Sequence, residues 1–106
     1  MNKSAILTKK EIKQSIKEVV CLNPQFNIKK VKLFGSYADN TANEESDINL
    51  AICEPQNIDV LSLYAFEDEL SKKTNKKIHA IRIDDAKEQN KDLFEIINHK
   101  GVVVYA

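Results

Sequence analysis

The sequence predicts a mixed α/β (α+β) domain: about four strands in one sheet with helices packed on it, in the order α β β α β α β. Three observations predict it. Helical and strand hydrophobic periods alternate along the chain. Only two Gly and two Pro occur, too few for a loop-rich all-β fold or a flexible linker. The 106 residues, 42% apolar and 30% charged, suit one globular domain spanning 1–106, with no repeat or low-complexity segment. A chain this long buries about two thirds of its unfolded surface, so it needs no disulfide or metal to fold.

The first helix opens at Thr8-Lys9-Lys10-Glu11, which has the form of a capping box. Ile12, Ile16, Val19 and Val20 then fall on one face, and Asn23-Pro24 stops the helix. Val31 and Leu33 alternate with Lys30 and Lys32 in a first strand that Gly35-Ser36 ends. A polar loop of 12 residues, from Gly35 to Ser46, leads to a second strand, Asp47 to Ile52, closed by Pro55. Asp59 caps a helix running to about Lys73, with Val60, Leu63, Tyr64, Phe66 and Leu70 on its apolar side. Lys77 to Ile83 is a third strand. Asp84-Asp85 caps one long helix that turns Ala86, Leu93, Phe94 and Ile97 inward and stops at Gly101. His99 and Lys100 suit the negative end of its dipole. Val102 to Tyr105 is the last strand. The second strand, its helix and the third strand fit a crossover unit, but strand order is not legible.

Charge excludes some partners. Sixteen basic residues balance sixteen acidic ones. The chain up to Cys53 carries 8 basic and 6 acidic residues, and the remainder 8 and 10. Neither half has the basic field of a nonspecific nucleic-acid binder. No apolar run approaches the roughly 18 residues that span a membrane. Met1-Asn2-Lys3-Ser4 is followed by no apolar core of a secretory signal. Cys21 and Cys53 are therefore expected as free thiols in a reducing cytoplasm.

The chemistry lies between Gly35 and Leu50. Glycine after a strand lets a ligand approach the backbone. If Ser36 to Ala38 begin a helical turn, their N–H groups face an anion, with phosphate the natural occupant. Alternation places Asp47 and Asn49 on one face of the next strand and Ile48 and Leu50 on the other. Two oxygen ligands beside a phosphate cradle are what a Mg²⁺–nucleotide site needs. Tyr37 can stack on a base or anchor the loop. Lys29, Lys30 and Lys32 can contact phosphate or form a solvated strand face.

This segment resembles the signature of the polymerase β-like nucleotidyltransferases: Gly-Ser, ten residues, then Asp-x-Asp or Asp-x-Glu. Here Gly35-Ser36 is followed by ten residues, Tyr37 to Ser46, and then Asp47-x-Asn49. Leu33-Phe34, Ala38, Ser46 and Leu50-Ala51-Ile52 are similar to the minimal nucleotidyltransferase (MNT) branch, as are the chain length and element order. Asn40 stands at the usual loop glycine, as the residue next best suited to left-handed backbone.

The resemblance implies ATP or another NTP as ligand and Mg²⁺ as cofactor, held by three carboxylates around two cations. Asp47 keeps the first carboxylate position. Asn49 occupies the second and His79 the third. One anionic ligand cannot neutralise two Mg²⁺ ions as three can, and imidazole is a poor Mg²⁺ ligand. His79 is either a base near neutral pH or a partly exposed strand histidine.

The site expected from this resemblance comprises Gly35, Ser36 and Tyr37 for nucleotide and Asp47, Asn49 and His79 for catalysis, with Asp47 the metal ligand. The first function it implies is the MNT half of a HEPN/MNT-type toxin–antitoxin pair, with weak or lost nucleotidyl transfer and a HEPN-type protein as partner. The alternatives are an active enzyme moving a nucleoside monophosphate from an NTP to a protein or small-molecule hydroxyl, and a nucleotide sensor. A homo-oligomer stays open.

Overall fold

A computed structural model describes residues 6–106, so the reading of Met1–Ser4 as no secretory signal lies outside the described residues. The chain forms α1 (Lys9–Leu22), a 3₁₀ turn (Pro24–Phe26), β1 (Lys30–Phe34), α2 (Ser36–Asp39), β2 (Ile48–Glu54), α3 (Val60–Thr74), β3 (Ile78–Arg82), α4 (Ile83–Gln89), α5 (Lys91–Lys100) and β4 (Val102–Tyr105). The expected α+β class and four-stranded mixed sheet are present. Strand order is β3-β2-β1-β4. β1 pairs antiparallel with β2 and β4, while β2 and β3 run parallel, as a crossover through α3 requires.

Local chemistry sets most boundaries. Thr8 Oγ1 accepts from Glu11 N–H at 3.0 Å and Glu11 Oε1 accepts from Thr8 N–H at 2.8 Å, closing the capping box. Asp59 Oδ2 accepts from Ser62 N–H at 3.0 Å at the start of α3. Asn40 ends α2 with φ 63°, in the left-handed region expected for it.

The single long helix after β3 is instead two. Asn90 sits between them at φ −149° and ψ 83°, and its Oδ1 accepts from Leu93 N–H at 3.1 Å. A cap-forming side chain inside a helical run offers the backbone a competing bond, and here it wins. Asp84 and Asp85 lie within the first turn of α4 rather than at its cap, which is Arg82. Asp85 instead takes the Arg82 guanidinium at 2.9 and 3.2 Å. Gly101 does follow the last turn of α5. Its backbone is extended, and a Cβ there would collide with the Ile97 carbonyl.

Each sheet face carries its own helical layer. On the first face, α1 and α3 bury Ile12, Ile16, Phe66 and Leu70 against Val31, Leu33, Ile48, Leu50 and Ile52. Phe26 meets Phe66 edge to face, with centroids 6.5 Å apart. On the second face, α4 and α5 set Ile83, Ala86 and Ile97 against Phe34 and Ala51. Val60 and Tyr64, expected inward, are 41% and 60% exposed. The buried stripe of α3 is Leu63-Phe66-Leu70. At 100° per residue the other two lie roughly a quarter and a third of a turn from its centre.

Cys21 and Cys53 are both free, Cys21 exposed and Cys53 half-buried. Burial pushes the Cys53 thiol up, and Lys32 and Lys30 pull it partly back. Among the described residues, no helix is long and apolar enough to cross a membrane.

Candidate active site

β1 ends at Phe34, which is the register partner of Asn49 on β2. The chain then turns at Gly35 with φ 80° and ψ −154°, backbone that L side chains rarely adopt. A Cβ on Gly35 would lie 2.7 Å from Asn49 Nδ2. Glycine is therefore required twice, by its dihedral and by the closeness of the β2 side chain. The motif's two halves, separated in sequence, meet at this contact.

The Gly35 carbonyl accepts from Ala38 and Asp39 N–H, both at 3.0 Å, closing the turn of α2. The first amides of such a turn have no acceptor within the helix, so they stand ready for an oxygen ligand beside the half-buried Ser36.

Parallel pairing of β2 and β3 sets His79 opposite Asn49. Register partners share a sheet face. Ile78 and Ala80, the neighbours of His79, turn into the first core. His79 is thus exposed on the face that holds Asn49, at the place where the family resemblance expects a third carboxylate. Asp47 is half-buried and immediately precedes β2, which starts at Ile48, one residue later than expected. Ile48 N–H donates to the Lys77 carbonyl at 3.0 Å and opens that ladder. Gly35, Asn49 and His79 are brought together across three adjacent strands, with Asp47 at the same end of β2.

Tyr37, Lys29 and Lys30 are placed away from this group. Tyr37 is 3% exposed and belongs to the first core. Its ring anchors α2 and has no free face for a base, because the α2 turn directs it inward against the sheet. The hydroxyl is also buried, without a hydrogen-bond partner among the described residues. Lys29 and Lys30 precede and begin β1, at the end remote from Gly35; Lys30 pairs with Glu54. Five residues of strand put Lys30 roughly 16 Å from Gly35. Lys32 lies two residues before Phe34, near Cys53.

The donor set does not fit a pair of Mg²⁺ ions. It offers one carboxylate, one amide and one imidazole. Among the described residues no three His, Cys, Asp or Glu side chains are grouped to hold a metal. A groove of about 460 Å³ runs from His79 along the β3 edge, between Leu63 and Glu67 of α3 and Asp85 and Leu93 beyond the sheet. Glu67 Oε2 accepts from Ala80 N–H at 2.7 Å, occupying one amide of that edge.

The sequence model described as "Polymerase beta, Nucleotidyltransferase" matches residues 5–106. The chain belongs to this family. No curated protein matches it closely enough to count as a relative. Solved structures share its fold. A toxin–antitoxin complex with AMP-PNP matches over 89% of this chain and 73% of that one, at 17% identity and a TM-score of 0.71. The toxin–antitoxin MntA-HepT matches over 90% and 70%, at 14% identity and a TM-score of 0.63. A mutant form of that pair has a TM-score of 0.68 at 15% identity over 89% and 72%. The MNT-like architecture expected from the sequence therefore holds at the level of the fold.

Sequence reasoning missed one residue at this site. Lys76 is buried at 8% exposure, and its Nζ donates to the Glu44 carbonyl at 3.0 Å. In sequence it is one of four lysines from Lys72 to Lys77, indistinguishable from its solvated neighbours.

Proposed function

We propose that this protein is the MNT half of a toxin–antitoxin pair, that it binds an NTP such as ATP, and that its metal-dependent nucleotidyl transfer is weak or lost. The carrying observation is the contact of Gly35 with Asn49, opposite His79. The nucleotidyltransferase motif is assembled, yet an amide and an imidazole stand at two of its three acidic positions.

Gly35 and Ser36 present backbone amides to the phosphates. Asp47 is the one anionic ligand for a divalent ion, which when bound would neutralise phosphate charge. Asn49 keeps an oxygen donor without charge. Transfer of this type depends on positioning and on cationic stabilisation, and this site has lost most of the negative charge that retains cations. The partner we assign is a HEPN-type helical protein. The toxin–antitoxin character of the structural neighbours and the single-domain build of the matched region support that assignment.

Calorimetry with ATP and Mg²⁺ tests the site, followed by an adenylylation assay on a co-purified partner. Wild type is expected to bind ATP with little Mg²⁺ dependence. Asn49→Asp combined with His79→Asp should raise Mg²⁺-dependent affinity on the order of a hundredfold, taking about 1.5–3 kcal/mol for each charge-assisted ligand regained. Robust wild-type transfer that disappears in Asp47→Ala would overturn the reading. The exposed His79 would then be the base of an active transferase acting on a protein or small-molecule hydroxyl.

A further inference from the structure

We propose that Lys76 is a positioning residue for the candidate site: its buried ammonium holds the loop that delivers Asp47 to the end of β2. The part of this inference that concerns nucleotide rests on the functional reading above; the part that concerns the loop does not.

A lysine ammonium is seldom removed from water unless its hydrogen bonds are met by the protein. Lys76 is the one charged side chain buried among the described residues, and it reaches the Glu44 carbonyl, 32 residues away in sequence. Its neighbour Lys77 accepts from Ile48 N–H through its carbonyl at 3.0 Å. One short turn between α3 and β3 therefore grips the chain on both sides of Asp47, at Glu44 by a side chain and at Ile48 by backbone.

Both partners of this grip are themselves fixed. On the lysine side, Ser71 Oγ donates to the Lys76 carbonyl at 2.8 Å, and Asn75, at φ 59°, closes α3 through its N–H to the Ser71 carbonyl at 2.8 Å. On the loop side, Asn43 Oδ1 accepts from Glu45 N–H at 2.8 Å. Asn43 N–H donates to Ser46 Oγ at 2.9 Å, and Ser46 N–H donates to the Asn43 carbonyl at 3.1 Å. The loop is a small self-bonded knot. Those bonds are internal to the loop, whereas the Lys76 bond joins it to the turn before β3. Without that tie, the knot can pivot about Ile48 and carry Asp47 away from Gly35 and Asn49.

The test measures amide hydrogen exchange and AMP-PNP affinity for the full chain as wild type, Lys76→Met and Lys76→Arg, at a temperature where circular dichroism shows each folded. Lys76→Met should speed exchange about tenfold or more at Glu45, Ser46 and Asp47, leave α1 and β1 unchanged, and weaken AMP-PNP about tenfold. Lys76→Arg should restore much of both. Unchanged loop exchange in Lys76→Met overturns the proposal, and so does a uniform rise across the molecule, which marks a general stabiliser. If Lys76→Met does not fold, Lys76→Gln is read by the same criteria. Should wild type bind no AMP-PNP, the nucleotide reading falls while the exchange comparison still decides the loop-holding role.

Discussion

The two faces of the sheet are built from the same strands and serve different ends. On β2, Ile48, Leu50 and Ile52 enter the first face and are wholly buried. Their alternates are Asn49, Ala51 and Cys53, of which Ala51 alone is wholly buried. The first face is sealed along its length by α1 and α3. The second is covered by the shorter α4 and α5, whose apolar core takes in Phe34, Ala51 and Ile81, while Asn49 stays half-buried and His79 exposed. A polar site exists where the second layer stops. One face supplies most of the stability, and the uncovered end of the other carries the candidate site.

The largest test of that division is in the sealed core. Phe66→Ala should cost about 3–5 kcal/mol in urea unfolding, because it empties a fully buried ring site. Leu93→Ala, half-buried on the second face, should cost clearly less. Equal losses would mean that the two layers contribute alike.

Gly35→Ala probes the seam between core and site. Positive φ and the approach of Asn49 should together cost about 1–3 kcal/mol and abolish AMP-PNP binding by calorimetry. Adding Asn49→Ala removes the clash but not the dihedral strain, so it should recover part of the stability. No recovery would show that the contact is immaterial.

Tyr37→Phe carries a smaller effect of opposite sign. The buried hydroxyl without a partner gains nothing in the fold, so its removal should be neutral or stabilising by about 1 kcal/mol. A large loss on thermal melting would reveal a partner for the hydroxyl.

The smallest effect belongs to the outer surface of the first layer. Glu18 on α1 is hydrogen-bonded by Gln14 and paired with Lys73 of α3, and both hold its carboxyl below the usual range. The folded state thus binds this proton less readily than the unfolded chain. Its contribution is present above the ordinary value of 4.5 and is lost as pH falls through the lower folded value. Glu18→Gln should remove a slight part of the acid dependence of the melting temperature. Because the pair is exposed, little stability at neutral pH should change.

Much of this layout is written locally. The Thr8 capping box, the Asp59 cap, the apolar stripe of α1 and the alternation in β1 and β2 each depend on residues within a few positions of one another. The spacing from Gly35-Ser36 to Asp47-x-Asn49 is also a sequence property, and it is what singles out the candidate site residues. Inside the long apparent helix, Asn90 followed by Lys91-Asp92-Leu93 was a legible cap, masked by the helical period on either side of it.

By itself, then, the sequence determined element types, most boundaries, the mixed sheet and the candidate site positions, because propensity, capping and periodicity act over short separations. Tertiary structure decided which strands pair, that Tyr37 is an anchor, that Lys30 lies at the wrong end of β1, and that Lys76 alone among its neighbouring lysines is buried. Those outcomes depend on which surfaces meet across the fold. Burial and register are properties of that meeting, and a side chain carries no mark of them until its partners arrive.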